Sequence, residues 1–419
     1  MKKTVAINAP IQLRREMHIG SFMDVIFLDL IRRFNSDTQI IIQWNALGKF
    51  RQKDGTNNIE SFETLFNKVR KLIDSYYDQN NCIHFLDDDP KIYNYVLNIV
   101  SKMISEQIIK LKDYLAWYCE TCNSYLGPIE QSLKFCKQCS LPLSQKRTTD
   151  LFISIDKLLI RKLAESFNFI PKKMKNKFLG VFSEMPNEFI ITKERSEGFS
   201  AEVIDKSLKE KVFDPKFVYS LFPTIAIELG LPKIKTIILG EDVLGRYLYY
   251  LLAHNQSILD TELNIIVHGM LTRAGKKISK YGNFPEITNI NKFLEKYSWE
   301  HLKLLCFSSN IGQAIDFDQK IVEVSKLITK KKNVLFFLEQ IIAQDKLPDN
   351  EPNETEVEII NHCENLTKII SKLELFNFYS GYHFLWFDLL SRKYIFELRD
   401  NQGTKIGLKK IIALLSSIL

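Results

Sequence analysis

The chain lacks any apolar run of the roughly 18 residues that a membrane-spanning helix needs, which excludes an integral helical membrane protein. The N-terminal stretch MKKTVAINAP has two lysines but no long apolar core, which speaks against a secretory signal peptide. A disulfide framework is missing too. Seven cysteines, an odd number, are spread over 419 residues, and that usage fits a reducing, cytoplasmic compartment. No internal repeat is apparent. Neither sign of charge dominates: the net charge is +7 and the pI about 8.8, compatible with a polyanionic partner without requiring one. What remains is an ordinary soluble composition, 45% hydrophobic and 26% charged, with length for two or three domains.

The first fifty residues carry the fold class. KTVAI, 3–7, predicts a strand, and a loop follows it. HIGSFMDVIFLDLIRRF predicts a helix from near Ser21, with Phe22, Ile26 and Leu30 at helical spacing and Arg32 and Arg33 in the last turn. TQIIIQW, 38–44, reads as a strand buried on both faces. Strand, helix, strand is one βαβ unit, so the expected fold is α/β with a Rossmann-like parallel sheet. IKTIILG, 234–240, and LNIIVHGML, 263–271, predict two more strands, and EDVLGRYLYYLLAH, 241–254, a helix. Beyond about residue 290 the pattern becomes helical, over Lys292–Ile342 and Val357–Leu375, with a polar, acidic loop between. The expected domains are 1–114 and 151–290 as two halves of the nucleotide-binding domain, 115–150 as a zinc-knuckle insertion, and 291–419 as a C-terminal α-helical domain.

Two stretches suggest phosphate chemistry. In MHIGSF, His18 and Gly20 stand where a strand and loop give way to a helix. Amides at such a start favour an anion, a glycine allows close approach, and an imidazole can donate to a phosphoryl oxygen. In LTRAGKKISKYGN, Arg273, Lys276, Lys277 and Lys280 surround two glycines and Ser279. Taken singly, the first also reads as a helix cap with a partly buried histidine, and the second as a solvated charged turn. A third stretch is more specific. Cys119-x2-Cys122 and Cys136-x2-Cys139, separated by 13 residues, have the spacing of a tetrahedral Zn²⁺ site. Four thiolates leave no open position, so such a metal is structural.

The order of these stretches resembles that of the class I aminoacyl-tRNA synthetases, which carry a His-Ile-Gly-His motif and a Lys-Met-Ser-Lys-Ser loop. The cysteine module between them, LGEDVLGRYLYYLL, IIVHGMLTRAGKKISKYGN and HLKLLCFSSNIGQAIDFD are similar to segments of the methionyl enzymes, in the methionyl/leucyl/isoleucyl/valyl subgroup. FVYSLFPTIAIELG, 217–230, resembles their pocket strand and helix. The resemblance covers roughly residues 3–345. It implies ATP-dependent activation of an amino acid, release of pyrophosphate and transfer to tRNA, with Mg²⁺ accompanying ATP. On the same grounds His18, Ser21, Lys277 and Lys280 serve catalysis. Gly20, Gly240, Asp242, His268, Gly269 and Ser279 bind ATP, and Pro10, Ile11, Asn45 and Tyr219 line the amino-acid pocket.

The departures are local. Ser21 replaces the second histidine, and Tyr281 stands where a serine is usual. Asn45 occupies the place of an aspartate that holds the substrate ammonium, and a neutral amide binds an ammonium less strongly. Tyr219 stands for a pocket tryptophan, Thr192-Lys193 for Ser-Arg, and Arg14 and Arg15 for Asn-Gly. These changes keep two other readings open: a paralogue that ligates an activated amino acid to an acceptor other than tRNA, and a weakly active tRNA-binding relative.

Overall fold

Runs of β-branched residues become short strands buried on both faces. In the computed structural model, which describes residues 4–11, 17–35, 37–47, 62–77, 82–121, 124–125, 135–136, 139–195, 197–255, 262–278, 289–344, 346–400 and 402–418, the elements follow in this order. β1 (Thr4–Asn8) leads to α1 (Ile19–Phe34), β2 (Thr38–Trp44), α2 (Phe62–Tyr76), β3 (Cys82–Leu86) and α3 (Pro90–Ser105). A long hairpin follows, β4 (Ile109–Cys119), β5 (Ser124–Tyr125) and β6 (Ser144–Ser154). Then come α4 (Lys157–Ser166), β7 (Asn168–Ile170), α5 (Lys173–Glu184), β8 (Glu188–Ile190), β9 (Thr192–Glu194) and β10 (Lys211–Phe213). α6 (Pro215–Ser220) and α7 (Phe222–Glu228) precede β11 (Ile234–Gly240), α8 (Leu244–His254) and β12 (Asn264–His268). β13 (Leu271–Arg273), β14 (Lys276–Lys277) and β15 (Ile315–Asp316) form a small separate sheet.

The chain divides into two units, Met1–Glu16 with Asn35–Ile266, and Met17–Phe34 with Val267–Leu419. The first holds a six-stranded sheet in the order β3-β2-β1-β11-β12-β7. The pairs β2–β3, β1–β2, β1–β11 and β7–β12 are parallel. Burial on both faces explains why β1, β2 and β11 read as nearly continuous apolar runs. β4 and β6 pair antiparallel from Ile109–Ile153 to Tyr118–Ser144, so the cysteine-bearing turns stand at the tip of a long ribbon. Asp89 caps α3 by accepting from Lys91 N at 2.9 Å, with Pro90 at the first helical position.

The second unit is mostly helical: Ile290–Lys296, Trp299–Phe307, Phe317–Gln344, Glu354–Ser371, Leu375–Phe384 and Lys405–Ser417, with a π-helical stretch over Leu385–Tyr394. Tyr379, Tyr382 and Trp386 are buried, whereas Phe384 is 44% exposed. Lys331, from the basic run 329–333, pairs with Glu300 at 2.5 Å. No described helix is long and apolar enough to cross a membrane.

Three sequence expectations need correction. α1 begins at Ile19, two residues before Ser21, because the His18 side chain itself caps the first turn. The expected strand over 263–271 breaks at Gly269, where the backbone passes close to Gln313. The segment 217–230, expected as a strand and helix, forms two short helices.

The helical unit is tied by one buried carboxylate. Glu356 is wholly buried and accepts from Tyr394 Oη (2.6 Å), Thr404 N and Oγ1 (both 2.7 Å) and Asn353 N (2.9 Å). Truncation would leave four donors without their acceptor, each a substantial loss inside the protein. Glu356→Ala is therefore expected to cost about 3–4 kcal/mol, read as a lowered urea midpoint of the helical signal, with Glu356→Gln intermediate. A midpoint equal to that of the parent would show that this network contributes little.

Candidate active site

In the first unit, polar groups collect where β1, β2 and β3 end side by side. The chain past β1 stays paired: Ile11 N donates to Gln43 O at 2.9 Å, and Asn45 N to Ile11 O at 2.9 Å. Asn8, fully buried, braces the same junction, since its Oδ1 accepts from Gln43 N at 2.9 Å and its Nδ2 donates to Ala9 O at 2.7 Å. On the other side, Ala9 N donates to Ile238 O of β11 at 2.8 Å. Pro10, Ile11 and Asn45 thus sit on a rigid strand-end shelf. Gly240 closes β11 in a buried position, and Asp242 lies in the exposed turn after it. Tyr219 comes from α6, with its ring 6.0 Å from that of Tyr247, and burial holds its phenol well above the usual range. Arg195 Nη1 donates to Leu47 O at 2.7 Å and fixes the loop after β2.

Sequence reasoning missed Asp87, the residue after β3. It is fully buried; its Oδ1 accepts from Leu47 N at 2.8 Å, and its N donates to Trp44 O at 3.3 Å. Oδ2 is buried without a hydrogen-bond partner among the described residues. Burial pushes this carboxyl up to about 8, against the opposing pull of the Leu47 and Ala46 amides. Two residues on, Asp89 caps α3. The available signal was position, since ligands in open parallel sheets collect beyond the strands' carboxyl ends.

Asp74, Cys82 and His84 also gather on β3 and α2. Trp44 Nε1 can only donate, and it does so to His84 Nδ1 at 3.0 Å. The ring proton therefore sits on Nε2, 3.1 Å from Asp74 Oδ1. With Nε2 protonated, the trio is a hydrogen-bonded brace for Trp44.

In the second unit, His18 precedes α1 and folds back on it. Its Nδ1 accepts from Gly20 N at 2.9 Å, and its carbonyl accepts from Ser21 N at 2.9 Å and Phe22 N at 3.3 Å. A Cβ at position 20 would lie 2.8 Å from Nδ1, so any side chain there would push the imidazole of the motif out of place. Because Nδ1 accepts, a neutral ring carries its proton on Nε2, which makes that nitrogen the donor. Ser21 lies in the same first turn and is half-buried.

His268 is buried, with Nε2 2.8 Å from Asp24 Oδ1, Nδ1 2.8 Å from Gly269 O, and its ring stacked on Phe27. These contacts tie it to α1 and to the Gly269 carbonyl. At Gly269 any Cβ would meet the Gln313 carbonyl oxygen at 1.7 Å, so glycine permits the crossing of two backbones. Lys277 is exposed on β14, which pairs with β13 across a turn where Ala274 and Gly275 have φ of 49° and 73°. Ser279 and Lys280 lie outside the described residues, as do Arg14, Arg15, Tyr281 and Cys122. Of the expected site residues, His18, Gly20, Ser21, His268, Gly269 and Lys277 share this unit. Pro10, Ile11, Asn45, Tyr219, Gly240 and Asp242 share the other.

The cysteines form a third group. The sulfurs of Cys119, Cys136 and Cys139 lie within 4.8 Å of one another, and Cys119 and Cys139 are 3.5 Å apart. Cys136 O accepts from Ser140 N at 2.8 Å in a tight turn with Ser140 at φ 59°. Zn–S bonds of about 2.3 Å in a tetrahedron require sulfurs about 3.8 Å apart, so these thiols fit a zinc site.

No family profile matches the chain. Among curated proteins, a methionine–tRNA ligase of Clostridium tetani is 23% identical over 194 residues, which cover 43% of this chain and 30% of the relative. The match thus spans under a third of that relative's length. Among solved structures, Mycobacterium tuberculosis methionyl-tRNA synthetase in complex with methionyl-adenylate aligns with a TM-score of 0.70 at 14% identity, covering all of this chain and 92% of that one. The free form of the same enzyme aligns with a TM-score of 0.67 at 12% identity, covering 100% and 90%. The chain resembles a class I aminoacyl-tRNA synthetase of the methionyl type, in fold along its whole length and in sequence along less than half of it.

Proposed function

We propose that the protein is an ATP-dependent, adenylate-forming ligase of the methionyl-tRNA synthetase type. The observation that carries this reading is the likeness of fold over the entire chain to a synthetase solved with its adenylate. The HIGS and KKISK stretches at the corresponding places in the sequence support it. In the first step a substrate carboxylate oxygen attacks the α-phosphorus of ATP, the bond to the β-phosphate oxygen breaks, and pyrophosphate leaves. In the second a tRNA ribose hydroxyl attacks the acyl carbon and AMP leaves.

The residues divide this work. His18, donating from Nε2, and Ser21 hold the triphosphate at the start of α1. Lys277 and Lys280 neutralise the departing pyrophosphate; lysine suits this role because its charge is compact and its stem flexible. Gly240 admits the ribose, Asp242 accepts from its hydroxyls, and Ser279 donates to phosphate. His268 acts from the interior, holding Gly269 and the adenine-side backbone against α1. Pro10, Ile11, Asn45 and Tyr219 shape the amino-acid pocket. Mg²⁺ bound with ATP would offset phosphate charge. Cys119, Cys122, Cys136 and Cys139 would hold Zn²⁺ as a structural cross-link. A tRNA substrate implies a cytoplasmic setting.

Pyrophosphate exchange with each amino acid, with and without tRNA, tests the reading. Exchange together with stable charging is the expected result; exchange without charging moves the acceptor away from tRNA, and no exchange with any amino acid removes the ligase assignment. Gly20→Ala displaces the imidazole and is expected to lower the exchange kcat/KM by about ten- to a hundredfold with an unchanged circular dichroism spectrum. Metal analysis is expected to give about one zinc per chain, falling sharply in Cys136→Ser. Zinc-free protein with native stability would refute the metal site.

A further inference from the structure

One buried polar atom at the strand ends has no place in the roles above. Asp87 is fully buried, and one carboxyl oxygen accepts from Leu47 N while the other, Oδ2, has no hydrogen-bond partner among the described residues. The parallel register pairs Trp44 with Leu86, which makes Asn45 and Asp87 the next rung, on strands about 4.8 Å apart. Ile11 O accepts from Asn45 N on the next strand over. From above, the Phe85–Phe222 ring contact at 4.4 Å seats α7 against β3, and Tyr219 of α6 lies close enough to sense the charge of Asp87. Asp87 therefore faces the shelf made by Pro10, Ile11 and Asn45.

A buried carboxyl oxygen without a partner is costly, and the cost is removed when a cation or donor arrives. Ligands of open parallel sheets bind beyond the strands' carboxyl ends, where Asp87 stands. We propose that Asp87 is the group that receives the ammonium of an amino-acid substrate, with Asn45 beside it as a neutral donor and acceptor. This assignment rests on the reading of the protein as an amino-acid-activating ligase.

The proton balance follows from burial. The free carboxyl, pushed up to about 8, is protonated at neutral pH; the neighbouring Asp88 adds to the upward push. Asp88 and Tyr219 are the titratable groups among the described residues that bear on it. An arriving ammonium favours the carboxylate, so the acid proton leaves to solvent and an ammonium–carboxylate pair remains. Binding of the amine then releases a proton below about pH 8 and tightens as pH rises toward that value.

The test uses sulfamoyl-adenosine analogues carrying methionyl, leucyl, isoleucyl or valyl groups, each beside the counterpart that lacks the α-amine. The wild-type protein is expected to prefer at least one amine-bearing analogue by about tenfold or more. It should release about one proton on binding that analogue at about pH 6.5, measured by calorimetry in buffers of different ionisation enthalpy, and none with the amine-free partner. Asp87→Asn should lose both the preference and the proton while binding the amine-free analogue as before. A preference that survives in Asp87→Asn, or a wild-type protein that releases no proton, overturns the assignment. If the variant is insoluble, proton release by the wild type decides alone. Failure of ATP and of every analogue to bind removes the ligase reading and the Asp87 assignment with it. Normal pyrophosphate exchange with a silent Asp87 removes only the latter.

Discussion

The parallel pairing of β1 between β2 and β11 sets the chemistry of the first unit. Parallel strands end on the same side, so their final residues meet at one edge whatever their distance in the chain. Ile11, Asn45, Asp87 and Gly240 come from four separate segments and reach that edge through register alone. β1, β2 and β11 are buried on both faces and have little freedom in their side chains. The polar groups sit just beyond the strands, where the chain carries an amide and a buried carboxyl.

The start of α1 solves a different problem with few atoms. A helix leaves its first amides unsatisfied, and the usual remedy is a short polar side chain before the first turn. Here an imidazole does this with Nδ1 and thereby settles its own tautomer. One contact orders the ring, commits Nε2 to donation and leaves no room for a Cβ two residues on unless the ring moves. The plainer reading of HIGS as a helix cap and the functional reading as a phosphate donor are therefore compatible, since each uses a different nitrogen.

Much of this was legible in the residues, for identifiable reasons. β2 and β11 match TQIIIQW and IKTIILG because a strand buried on both faces keeps a central β-branched, apolar run, here Ile40–Ile42 and Ile237–Leu239. The Cys-x2-Cys pairs were legible because metal chemistry fixes spacing, and the three described sulfurs do gather. The helices of 217–230 were missed because the fold overrode a family analogy, and Pro223 at a helix start reads equally as a break. Asp87 escaped because three consecutive aspartates look like a solvated cap, and only the register of β3 against β2 shows which one turns inward. The pairing of His268 with Asp24, distant in sequence, was not legible either. Contacts that depend on partners hundreds of residues away leave no local pattern.

The two units are not successive lengths of chain. The first contains residues 1–16 and 35–266, the second 17–34 and 267–419, so the polypeptide crosses from one to the other three times. A nascent chain leaving the ribosome presents β1 early, yet one of its two neighbours in the sheet is β11, which begins at Ile234. α1 likewise waits for partners beyond residue 267. The first unit cannot close before β11 is made, nor the second before the residues past 267, and for that interval an apolar strand and an apolar helix stand uncovered. A chain laid out in this way depends on synthesis keeping pace with its own stickiness, and fragments cut at apparent domain borders inherit half of each core.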